Sequence, residues 1–211
     1  MTLSITIAEL RAAHACDLDD RIAALSAHLG RTPDDDEPVP LAKWAEVTPR
    51  VDDLFWAVRR CWWRGGREIG VEVACRAAER AMTHVRPQDV PVLRAAVDAA
   101  RGCVAGMVTV EACRDAAHAA NAAAYAAYAA DAYTATAYAA TAAAATAAAA
   151  TAAAATAAYA ADAYTDTAAT AAAHAAYGAA ADADPDADPD AACTAERAAQ
   201  RADLISLLEA T

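Results

Sequence analysis

The stretch TAAAATAAAATAAAATAAY, Thr141 to Tyr159, decides how the second half of this 211-residue chain folds. Ala has the highest intrinsic helix propensity, and neither Gly nor Pro occurs from Val110 to Tyr177. Local preference is therefore helical throughout. One unbroken helix would be about 100 Å long at 1.5 Å per residue, far beyond the size of the first half. A hairpin of two helices is the expected arrangement, although no turn signal marks where the chain reverses.

Side-chain size divides the chain near residue 110. From Ala116 to Asp203 there is no Leu, Ile, Val, Met, Phe or Trp, and the large side chains with apolar bodies are seven tyrosines from Tyr125 to Tyr177. A membrane span is not expected. The uncharged run between Asp131 and Asp162 is long enough, but insertion draws on Leu, Ile, Phe and Val, which are absent. An ice-binding face fails on geometry: it needs Thr at an eleven-residue period, and Thr141, Thr146, Thr151 and Thr156 stand five apart. Five residues rotate about 140° around a helix, so these hydroxyls spiral over every side, free to bond back to helix carbonyls. YAADAYTATA at Tyr128 also recurs as YAADAYTDTA at Tyr159. Thirty-one residues rotate about 220°, so in one helix the copies face different ways, as repeat expansion would leave them.

The first half reads as short helices with clear punctuation. Helical spacing in AELRAAHACDLDDRIAALSAHLG ends at Gly30, and RTPDDDEPVP is a proline-interrupted loop. LAKWAEV is a short turn of helix, and in RVDDLFWAVRRCWW an apolar stripe runs through Val51, Leu54, Phe55 and Val58. The core of this half is expected from Leu54, Phe55, Trp56 and Trp62. RGGREIG interrupts, VEVACRAAERAMTHV resumes, and Asp89 and Gly106 are expected to cap and stop the next helix. Thr109 is the expected cap of the alanine-rich segment, with Glu111 in its first turn. The expected fold is all-α: an N-terminal helical domain over 1–108, a long alanine-rich helix or hairpin over 109–181, an acidic Pro/Asp linker over 182–192, and a C-terminal amphipathic helix over 193–211. Leu204, Ile205, Leu207 and Leu208 would dock that last helix on the first half.

A net charge of -12 argues against nucleic acid, which requires a clustered basic surface. Arg59, Arg60, Arg64 and Arg67 form the one local basic group, read as a helix end beside core aromatics. The opening MTLSITIAEL lacks a basic n-region and a long apolar stretch, so no secretory signal and a cytoplasmic location are expected. Six scattered cysteines fit reduced thiols. His14 with Cys16, and Cys113 with His118, lack the pair-and-pair spacing of structural zinc sites, so no metal is expected. Asp182, Asp184, Asp186, Asp188 and Asp190 imitate a calcium loop, but counting from Asp184 puts Pro189 where Gly belongs and Ala195 where the bidentate Glu belongs. No nucleophile motif, phosphate loop or dinucleotide fingerprint occurs. The expectation is no enzyme, no cofactor and no catalytic residue.

AELRAAHAC, DDLFWAVRR, ACRAAERAM followed by RAAVDAARGCVAG, CRDAAHAANAAAYAAYAA and ERAAQRADLISLL span most of the chain in that order. In this succession the sequence resembles an uncharacterised family of alanine-rich helical proteins from high-GC bacteria and their phages, some of them assigned as immunity proteins. It departs from that family in its pure TAAAA run, where Arg, Asp and Trp are usually interspersed. The resemblance implies a non-enzymatic binding protein that neutralises a toxin through a protein partner of unknown identity, with self-association as a further option; an acidic surface suits a basic partner. The alternative is a structural Ala/Thr-rich helical protein, with ice binding as its variant.

Overall fold

A computed structural model describes residues 2–12, 18–32, 35–48, 51–61, 64–129, 135–154, 158–183 and 188–210. The fold is all-α, with one two-residue strand pair in which β1 (Ser4–Ile5) lies antiparallel to β2 (Val39–Pro40). The helices are α1 (Ile7–Ala12), α2 (Leu18–Leu29), α3 (Leu41–Val47), α4 (Val51–Arg60), α5 (Gly66–Ala81) with a 3-10 turn at Met82–His84, α6 (Val90–Val104), α7 (Val110–Ala129), α8 (Ala135–Ala154), α9 (Ala158–Ala183) and α10 (Pro189–Glu209). Two compact units result, Met1–Ile69 with Arg201–Thr211, and Gly70–Gln200. Their limits do not follow the change in composition near residue 110.

In the first unit, Thr6 and Glu9 form a reciprocal capping box on α1: the Thr6 N–H donates to Glu9 Oε2 at 2.8 Å and the Glu9 N–H to Thr6 Oγ1 at 3.0 Å. Trp44, only 1% exposed, is the largest fully buried side chain among the described residues. With Leu41 and Ala45 it occupies the i, i+3, i+4 face of α3. Leu54, Phe55 and Val58 of α4 are buried as their stripe predicts, but Trp56 is not core. It lies half-buried off that stripe, with the Arg60 guanidinium 5.2 Å above its ring. Trp62 lies outside the described residues. Leu204 and Leu208 of α10 are buried, as the docking expectation requires. Arg201 anchors this stretch by donating to the Ala45 carbonyl at 2.7 Å and the Thr48 carbonyl at 3.2 Å. A cation there satisfies carbonyls left open at the C-terminus of α3.

In the second unit the alanine-rich segment folds as three helices, so the chain reverses twice where one hairpin would reverse once. Tyr138 meets His174 edge-on with ring centroids 5.2 Å apart, and Ala145 clusters with Ala168. Residues equally far from the α8–α9 junction pair together, which makes the two helices antiparallel. The Cys113 thiol reaches the Ala147 carbonyl at 3.2 Å and gives the same sense for α7 and α8. Helix α8 is the centre of this unit, in contact with α6, α7 and α9. Its residues 139–150 are buried except for the half-buried Thr141 and Ala148. A helix buried all round has no polar face, and methyl side chains let neighbouring backbones approach closely on every side. Thr146, fully buried, is accommodated because its hydroxyl donates to the Ala142 carbonyl at 2.8 Å; Thr151 repeats the bond to Ala147 at 2.9 Å.

Punctuation is mostly as read from the sequence. Gly30 and Gly106 adopt φ of 65° and 72° at helix ends, and Thr109 Oγ1 accepts the Ala112 N–H at 3.2 Å. Asp89 sits at the cap position of α6 but makes no cap bond, because its carboxylate pairs with Arg86 Nε at 2.8 Å. The acidic run caps α10: Asp188 Oδ1 accepts the N–H groups of Asp190 and Ala191 at 3.0 and 3.2 Å, with Pro189 in the first helical position.

Two measurements check this packing. Trp44→Ala is expected to cost about 3 to 5 kcal/mol and Trp56→Ala about 1 kcal/mol in chemical unfolding; the reverse ranking would refute the assigned core. Ala147→Leu, which forces a larger side chain among closely packed helices, is expected to cost about 1 to 3 kcal/mol or more. Ala126→Leu on the exposed face of α7 should stay within about 0.5 kcal/mol.

Candidate functional site

The second unit holds a groove of about 590 Å³. One wall is the C-terminal part of α9, presenting Ala176, Ala179 and Ala180; a second is α10, presenting Ala192, Ala195 and Ala199. These positions recur at i, i+3, i+4 and at i, i+3, i+7, so each helix turns one row of methyls inward. Arg80, Thr83 and His84, from the end of α5 and its 3-10 turn, close the third side. The sequence gives each wall helical spacing but no sign that segments a hundred residues apart meet.

Arg80, Glu196 and Gln200 engage one another along the groove. Arg80 forms a bidentate pair with Glu196, Nε to Oε2 at 2.8 Å and Nη2 to Oε1 at 2.9 Å. Gln200, fully buried, donates through Nε2 to Glu196 Oε1 at 3.0 Å and to the Ala169 carbonyl at 2.8 Å. Glu196 is only 8% exposed, so both carboxylate oxygens are committed inside the wall. The Thr83 hydroxyl donates to the Arg80 carbonyl at 2.7 Å. These bonds fix the shape of the groove; His84, exposed on its third side, takes no part in them.

Other residues with chemical potential are held apart or occupied. Cys113 is buried and bonded to α8 whereas His118, five residues on, is exposed. His14 and Cys16 lie outside the described residues, as do Asp184 and Asp186. Among the described residues no three metal-ligating side chains gather, and no helix is long and apolar enough to cross a membrane. In the basic group, Arg64 pairs with Glu9 at 2.8 Å, Arg67 with Glu68 at 2.6 Å, and Arg60 covers Trp56. Burial pushes the Cys61 thiol up to about 11 and the Cys75 thiol up to about 12, the opposite of a reactive cysteine.

The densest ion pairing joins α5 to α6. Arg101 reaches Glu72 at 2.9 and 3.1 Å and Glu79 at 2.5 and 3.0 Å, and Arg76 adds a contact to Glu72 at 3.2 Å. The hydrogen bond from Arg101 holds the Glu79 carboxyl below its ordinary value of 4.5. A folded-state value below the unfolded one contributes stability at neutral pH and loses it as the carboxyl protonates in acid. Glu79→Gln is therefore expected to lower the melting temperature by about 2 °C at neutral pH, a modest amount because the pair is partly exposed. The difference from wild type should shrink steadily as the pH falls below the ordinary carboxyl value of 4.5; a difference that does not change with pH would show that Glu79 acts through packing.

No family model matches the chain, and no curated protein or solved structure matches it.

Proposed function

We propose that this protein is a non-enzymatic protein-binding module, of the toxin-neutralising kind that the sequence resemblance implies. The observation that carries this reading is the groove between α9 and α10. Its walls are rows of methyl groups, and its one carboxylate is already spent on Arg80 and Gln200. Apolar walls held by such a bonded frame recognise shape. An amphipathic helix laid into an apolar groove is a recurrent way to join two proteins.

The structural or ice-interacting alternative depends on displayed threonine hydroxyls. Thr146 lies inside the second unit with its hydroxyl bonded to Ala142, which weighs against that reading.

Affinity capture from the native host tests the proposal. The wild-type chain is expected to retain one partner in stoichiometric amount, and Ala195→Trp, which fills the groove from an exposed position, is expected to lose it while keeping its circular dichroism. Equal retention by both chains would refute the groove as the binding site.

A further inference from the structure

We infer that the groove seats a cationic amphipathic helix, an identification that rests on the protein-binding reading and narrows it to one class of partner. Three observations lead there. First, the walls are helical and small-faced: α9 presents Ala176, Ala179 and Ala180, and α10 presents Ala192, Ala195 and Ala199. Ridges of small side chains admit a third helix at close interaxial distance. Second, the Arg80 charge is cancelled within the wall by Glu196, so the groove itself does not repel a cation.

Third, Asp188 and Asp190 are exposed at the start of α10, close in sequence to Ala192. A partner that places Lys or Arg beyond its apolar face meets these carboxylates at the rim, where charge pairs raise the association rate and set specificity. A second copy of this chain is a poorer occupant, since each copy brings a net charge of -12.

The test uses the full chain and synthetic helices of about 18 residues, roughly five turns. One peptide carries Ala and Leu on one face and Lys on the other, a second replaces Lys by Glu, and a third scrambles the Lys peptide so that no apolar face forms. Fluorescence anisotropy is expected to show saturable one-to-one binding of the Lys helix alone. Ala195→Trp should abolish it, and the smaller Ala195→Gln should weaken it if the tryptophan variant folds poorly. Asp188→Asn with Asp190→Asn should weaken binding by about tenfold, because Asn keeps the helix cap while removing the charge. Raising the salt well above physiological strength should weaken it by a similar factor.

Comparable binding of the Glu or scrambled peptide, or binding of the Lys helix that ignores both Ala195 variants, overturns the inference. So does a dimer in sedimentation that Ala195→Trp dissolves, which would assign the groove to a second copy. If no peptide binds while a host protein is still captured in an Ala195-dependent way, the cationic helix is wrong and the protein-binding reading stands.

Discussion

Everything in the second unit is arranged around the enclosure of α8 by neighbours that can approach it only as closely as a methyl group allows. A leucine-rich helix gains cohesion from a few large side chains, each worth roughly 1.5 to 3 kcal/mol when buried. Helix α8 has no such side chain among its buried residues. Its cohesion comes instead from many short-range contacts, individually tiny and collectively large, together with bonds from its neighbours to its backbone. Cys103 and Cys113 direct their thiols to the carbonyls of Ala150 and Ala147, and Thr146 lies 3.4 Å from the Ala74 carbonyl. This dense centre makes α9 a firm wall, and the Arg80–Glu196–Gln200 chain ties α5, α9 and α10 into the groove.

The sequence made the helical class legible because propensity and punctuation agree along most of its length. The stripe through Leu54, Phe55 and Val58, the cap at Thr109 and the stops at Gly30 and Gly106 all rest on short-range rules. Trp44 was legible as well, since Leu41, Trp44 and Ala45 repeat the same spacing within seven residues. Trp56 is not core because it stands off its own helix's stripe. Asp89 shows the limit of local rules: a residue at the right position for a cap is captured by Arg86 three residues before it.

What the sequence hid were the reversals and the groove. YAADAYTATA straddles the end of α7 and the start of α8, whereas its near-duplicate YAADAYTDTA lies wholly within α9. Almost the same ten residues therefore accompany a junction in one place and continuous helix in another, so tertiary packing overrides local preference here. The groove depends on that outcome. Arg80, Ala180 and Glu196 come together only after α7, α8 and α9 have each been given a length and a direction.

The bonds that Cys103 and Cys113 make to α8 both end on main-chain oxygens. Main-chain oxygens are the same in every unit of TAAAA, so these two bonds register the path of the α8 backbone and not the identity of any one unit. A coding repeat of this kind gains and loses copies readily, and each copy here adds or removes about 7.5 Å of helix without altering the chemistry that neighbours see. The spans of α7 and α9 then act as the gauge, since a change of copy number alters the length of α8 relative to the two helices it packs between.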